Sequence, residues 1–260
     1  MNYDTTFQFS LVIDSDLGEE LCKFRNNESC NTRIVEKILH YYKNCPIFTT
    51  SDLMQRYYYD FPTILNTVLS NVTTPRINID NSTAIDIAKH TIYKVVLCND
   101  KSKKDIFPYI YIGGDRIENN FTATFFKNEP RQKALEHLND LLSVATEISI
   151  YDIHLLKEKW NRKSFAQFCK LLPPTNKLTI KYLGGNRNSK VCKIMERYVC
   201  KMYPNWNWVV ENYNGKEGTY AHDRYLIIDN KIEVIFTSGI HHLINTDKDF
   251  TYIVRQLSHK

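Results

Sequence analysis

The sequence has no CxxC pair, no internal repeat, no low-complexity tract and no apolar run approaching the length of a bilayer-spanning helix. Each absence removes a class. The last gives no expectation of a membrane-spanning helix, and a disulfide framework is a poor fit to seven cysteines, an odd number, at positions 22, 30, 45, 98, 169, 192 and 200. The opening stretch MNYDTTFQFSLVID lacks a basic segment followed by an apolar one, so it does not read as a signal peptide. Reduced cysteines and no leader give the expectation of a cytoplasmic protein. The sequons at Asn27, Asn71, Asn81 and Asn120 then follow from an asparagine-rich composition rather than from secretion.

Charge of one sign is also scarce. There are 34 Lys and Arg against 29 Asp and Glu, a formal net charge of +5. That is compatible with a polyanionic partner, but the excess is too small to identify one. With 43% hydrophobic and 24% charged residues the chain is ordinary globular material. Its 260 residues suffice for one large domain or two small ones.

Alternation and helical spacing are clearest after residue 128. Asn128-Glu129-Pro130 predicts a helix start, followed by Leu135, Leu138, Leu142 and Ala145 at helical intervals. Strands are expected over 147–156, 177–183, 206–213 and 250–257, and in the pair RYLIID and KIEVIFTSG. Helices fall over 163–174 and 189–203. The latter carries an apolar stripe of Val191, Ile194, Met195, Tyr198, Val199 and Met202. The order predicts an α/β sandwich over 128–260.

Residues 1–127 predict a smaller α+β domain of unassigned role. QFSLVID reads as a strand and RIVEKILHYYKN as a helix. Residues 48–72 read as two helices, and IYKVVLCND with IFPYIYIGG as two strands of a hairpin or meander, with Lys101, Lys103 and Lys104 in the turn between them. Two readings stand: a winged helix-turn-helix, or an unrelated α/β domain. The second helix has almost no basic side chains, which argues against major-groove reading.

The chemistry concentrates in AHDRYLIIDN, residues 221–230. On an extended segment alternate side chains share a face, so His222 and Arg224 point together and Asp223 points away. An imidazole and a permanent cation at the mouth of a buried strand suit a tetrahedral phosphodiester. His222-x-Arg224, four residues, then Asp229 resembles the His-x-Lys-(x)4-Asp signature of the phospholipase D superfamily, with arginine in the lysine position. Together with the β-α-β-α order before it, the resemblance covers roughly residues 128–257. It implies a metal-independent phosphodiesterase, with a nuclease as the leading version. His222 would be the nucleophile, Arg224 and Ser238 the phosphate binders, and Asp229 a local support. Asp247 or Asp249 would orient the histidine. A single motif implies a homodimer in which His222 of the partner subunit serves as general acid.

Two departures and one precedent keep a second reading open. Arginine replaces lysine, and the two are not interchangeable at a tight site. The Gly-Ser-x-Asn turn of the family is replaced by Thr237-Ser238-Gly239-Ile240-His241, so that Ser238, Gly239 and His241 become the candidate phosphate-binding residues. Finally, His-Asp-Arg versions of the motif occur in non-catalytic domains of this kind. The alternative is therefore a module that holds a phosphate-bearing ligand, a nucleic acid or a protein segment without cleaving it. No cofactor and no metal are expected. His241-His242 lacks a third ligand at metal spacing, and Gly184-Gly185-Asn186-Arg187 reads as a turn, since it does not complete a Gly-x-Gly-x-x-Gly loop. His154 either lines the site or is structural.

Overall fold

A computed structural model describes residues 10–41, 47–48, 83–114, 117, 120–152, 155, 159–172, 177–185, 190–212 and 224–257. The two helices expected within 48–72, and also His154, Arg187, Tyr213 and His222, lie outside these residues. The chain divides into two compact units, Met1–Phe121 and Thr122–Lys260.

The first unit is built on a four-stranded sheet. Its strands are β1 (Leu11–Ile13), β2 (Ile47–Phe48), β3 (Val96–Cys98) and β4 (Tyr109–Tyr111), in the order β2-β1-β3-β4. All three pairings are parallel. β1 and β3 are short apolar runs with every residue buried, the signature of strands covered on both faces. Helices α1 (Ser15–Arg25), α2 (Thr32–Tyr41) and α3 (Ala84–Ala88) accompany them. Asp14 caps α1 by accepting from Ser15 N, and Thr83 with Asp86 forms a capping box on α3.

The hairpin expected between the strands of 92–113 is not formed. β3 and β4 run side by side in the same direction, so the antiparallel wing of a winged helix is absent here. The basic run lies in a 3-10 turn, Lys101–Lys103, rather than at a hairpin tip. There Lys103 Nζ reaches Asp14 Oδ2 at 3.0 Å and sits over the Tyr109 ring. An ion pair to the end of β1 accounts for the lysine better than a solvated tip does.

The second unit carries a seven-stranded mixed sheet. Its strands are β5 (Asn120–Phe125), β6 (Glu147–Tyr151), β7 (Leu178–Gly185), β8 (Trp206–Asn212), β9 (Arg224–Ile228), β10 (Ile232–Phe236) and β11 (Phe250–Gln256). The order is β5-β11-β10-β9-β6-β7-β8. β6, β7 and β8 run parallel, while β9, β10 and β11 form an antiparallel meander joined to β6 through β9. β5 has no counterpart among the expected strands.

Helices α4 (Gln132–Leu142), α5 (Lys159–Phe168) and α6 (Lys190–Met202) complete the unit. α4 buries Ala134, His137, Leu138, Leu141 and Leu142, and His137 Nδ1 meets the Tyr252 hydroxyl at 2.7 Å. It begins later than Asn128-Glu129-Pro130 predicts. Asn128 takes the left-handed conformation (φ 66°) and its N–H donates to Thr246 O, so the chain is still turning at that point. α6 buries Cys192, Met195 and Val199 but leaves Ile194, Tyr198 and Met202 exposed, a narrower buried face than the stripe suggests. Phe165, Phe168, Tyr182 and Trp208 stack into an aromatic cluster at the parallel end of the sheet.

Candidate active site

The registers of three neighbouring strands bring two of the candidate residues, Arg224 and Ser238, to one edge. Ile150 pairs with Leu226 and Tyr151 with Tyr225, so the next position along places Asp152 across from Arg224. On the other side Phe236 pairs with Arg224, and Thr237 N donates to Thr251 O before the chain enters Ser238-Gly239. The end of β6, the start of β9 and the end of β10 thus deliver Asp152, Arg224 and Ser238 side by side. Parallel strands commonly present ligand sites at such carboxyl ends.

Arg224 is about one-fifth exposed, whereas the Asp152 carboxylate is 1% exposed. Arg224 Nε lies 3.9 Å from Asp152 Oδ1, within ion-pair range but longer than a hydrogen bond. Asp152 follows directly on β6, and its carbonyl accepts from the Tyr182 hydroxyl at 2.8 Å. Sequence reasoning passed over Asp152. The available signal was an acid immediately after a run of buried strand residues, and it becomes informative only once β6 and β9 are known to pair.

Beyond β10 the chain makes a 3-10 turn, Ile240–Leu243, capped at Gly239. Ser238 Oγ donates to the Asp249 carbonyl at 3.3 Å. A Cβ built on Gly239 would stand 2.4 Å from the His241 ring, so a glycine is required for the imidazole to lie against the turn. The His241 and His242 rings lie 3.9 Å apart, and His242 Nδ1 is 3.1 Å from Asp247 Oδ1. Both histidines are buried. Burial, together with the neighbouring His242 and Arg224 charges, holds His241 down to about 4. His242 is lowered as well, because burial outweighs the opposing pull of Asp247. At neutral pH the turn therefore offers uncharged imidazoles beside a guanidinium.

The remaining candidates occupy other places. Asp229 lies at the opposite end of β9 from Arg224, in the three-residue turn 229–231, where it and Asn230 are both at positive φ (50° and 54°). Its Oδ1 accepts from Thr146 N, Thr146 Oγ1 and Glu147 N at 2.8–2.9 Å, tying the hairpin tip to the start of β6. Five residue steps of about 3.4 Å along the strand separate it from Arg224. Asp249 Oδ1 accepts from Lys127 N at 2.8 Å, so that carboxylate fastens the 126–131 turn, while Asp247 faces His242. Among the described residues no group of three or more His, Cys, Asp or Glu could hold a metal ion, and no helix is long and apolar enough to cross a membrane.

The depressed titration of His241 predicts a pH dependence of stability. In the unfolded chain a histidine titrates near 6.5, and in the folded chain His241 titrates near 4. The unfolded form therefore binds the extra proton between these values. The His241 contribution is complete above about pH 6.5 and is lost as pH falls toward 4, at a cost on the order of 2–3 kcal/mol. Urea unfolding at pH 7 and at pH 4.5 should show a smaller loss in a His241→Asn variant than in the parent. His242 leaves a residual loss of the same sign. Equal losses in the two proteins would refute the assignment.

The fold and edge together define a mixed α/β protein with a guanidinium and neutral imidazoles at the edge of the sheet where β6 and β10 end and β9 begins. Three solved structures are similar to it. NucT from Helicobacter pylori is 18% identical, at a TM-score of 0.30, over 52% of this chain and 86% of its own. Nuc from Salmonella typhimurium, described as a phospholipase D family member, is 10% identical, at a TM-score of 0.29, over 53% of this chain and 83% of its own. Phosphatidylserine synthase of Haemophilus influenzae Rd KW20 is 6% identical, at a TM-score of 0.31, over 75% of this chain and 48% of its own. No protein-family model matches the sequence, and no curated protein sequence matches it significantly.

Proposed function

We propose that the Thr122–Lys260 unit is a metal-independent phosphodiesterase, most simply a nuclease, that works as a homodimer. The observation that carries this reading is the placement of Arg224 at the start of β9, between the strand ends bearing Asp152 and Ser238. His222 stands two positions before it in the sequence, the spacing of the motif.

The reaction divides into two displacements at phosphorus. His222 attacks, a phosphorus–nitrogen bond forms, and the bond to the leaving oxygen breaks as that oxygen takes a proton from His222 of the partner subunit. Water, deprotonated by the same partner imidazole, then cleaves the phosphohistidine. Arg224 offsets the charge on the non-bridging oxygens in both steps.

Hydrolysis of bis(p-nitrophenyl) phosphate and of single-stranded DNA is expected to persist in excess EDTA, with the protein sedimenting as a dimer. Loss of turnover on chelation would overturn the metal-free mechanism. The second reading, a binding module without turnover, is favoured by the altered turn, where the His241 ring packs against Gly239. DNA retained by the protein with no product and no acid-labile phosphohistidine would decide for it.

A further inference from the structure

We propose that Asp152 is the positioning residue for Arg224, and that arginine stands in this motif because a buried carboxylate stands opposite it. The proposal deepens the phosphodiester reading above and rests on it for the identity of the ligand.

The two residues are opposed by the sheet itself. The β6–β9 register ends at Tyr151 and Tyr225, and its continuation sets Asp152 against Arg224 on one face. The Asp152 backbone is held from the other side, where β7 lends the Tyr182 hydroxyl to its carbonyl. Tyr182 is itself buried in the aromatic cluster. The carboxylate is thus fixed in place and almost wholly removed from solvent. An ionised carboxylate in that position requires a nearby positive charge, and Arg224 Nε at 3.9 Å provides one.

The shape of the cation then matters. A guanidinium is planar and carries donors on three nitrogens. With Nε turned toward Asp152 the guanidinium plane is set, and a fixed fork of Nη donors is the shape that meets two oxygens of a phosphate at once. A lysine ammonium is a single point. Placed opposite Asp152 it would be drawn to the carboxylate, with no fixed fork of donors to offer the ligand. The arginine and the aspartate are therefore one device. Replacing either alone damages it, and replacing both with a lysine and a neutral partner restores a usable cation.

The test is a double-mutant cycle in the full chain: parent, Asp152→Asn, Arg224→Lys and the double variant. Affinity for a short fluorescent single-stranded DNA is read by anisotropy, and the Arg224 Nε–H resonance by NMR. Arg224→Lys is expected to weaken binding by about 10-fold or more, and adding Asp152→Asn should recover most of that loss. In Asp152→Asn the Nε–H resonance should shift and exchange faster. Additive effects across the cycle, or an unmoved Nε–H resonance, would overturn the proposal. If the parent binds no DNA and hydrolyses no phosphodiester, the functional reading fails, yet the Nε–H resonance still decides whether Asp152 positions Arg224. Should Asp152→Asn not fold, Arg224→Gln supplies a second route. Without its cation the Asp152 carboxyl must titrate higher than in the parent. A carbonyl carbon signal that titrates identically in both proteins would refute the pairing.

Discussion

Replacing His222 by alanine is expected to reduce phosphodiester hydrolysis by at least about 10³-fold, with no comparable change in folding stability. The histidine is asked to be nucleophile in one subunit and proton donor in the other, so its loss removes both functions from each composite site. What remains is charge stabilisation by Arg224, which can hold a phosphodiester but has no atom with which to displace the leaving group. The split between binding and turnover is the informative quantity. DNA affinity should change little in His222→Ala, because the guanidinium persists, whereas kcat should collapse. A variant that hydrolyses bis(p-nitrophenyl) phosphate as fast as the parent would end the phosphohistidine mechanism. His241→Asn should fall less, because its ring is neutral and packed against Gly239.

Two stretches show how differently the chain discloses its structure. The second unit was legible because its strands alternate or run apolar and its helices carry stripes. RYLIID and KIEVIFTSG became β9 and β10, and KLTIKYL became β7. The first unit was harder, because IYKVVLCND and IFPYIYIGG look alike whether they pair parallel or antiparallel. Strand direction depends on the connection, and here the segment between them folds as a 3-10 turn held by Lys103 and Asp14. Pairing also hid Asp152, which acquires meaning only through the β6–β9 register. Asp229 is a similar case. Motif spacing groups it with His222 and Arg224, but strand geometry carries it to the far end of β9, where its oxygen accepts three donors from Thr146 and Glu147.

The largest expected effect on stability lies outside the motif, at Arg131. It is 3% exposed, yet carries a charge that must be satisfied in place. Nη1 donates to Phe126 O at 3.0 Å and Nη2 to Lys248 O at 2.8 Å, while the guanidinium faces the rings of Phe125 and Phe250. One side chain therefore ties the turn after β5 to the loop before β11, alongside the Asn128 N–Thr246 O and Lys127 N–Asp249 Oδ1 bonds. Arg131→Ala opens a cavity between two aromatic rings and strands two carbonyls, a loss of about 3–5 kcal/mol by urea unfolding. Arg131→Lys keeps the charge, but one ammonium does not span both carbonyls as the fork does, so an intermediate loss is expected. The loop that Arg131 holds also carries Asp247. Loosening it should weaken the Asp247–His242 contact, the main influence that raises His242, so that imidazole should titrate still lower in Arg131→Lys. Unfolding within about 1 kcal/mol of the parent for Arg131→Ala, or an unchanged His242 titration in Arg131→Lys, would show that the loop is held by its backbone bonds alone.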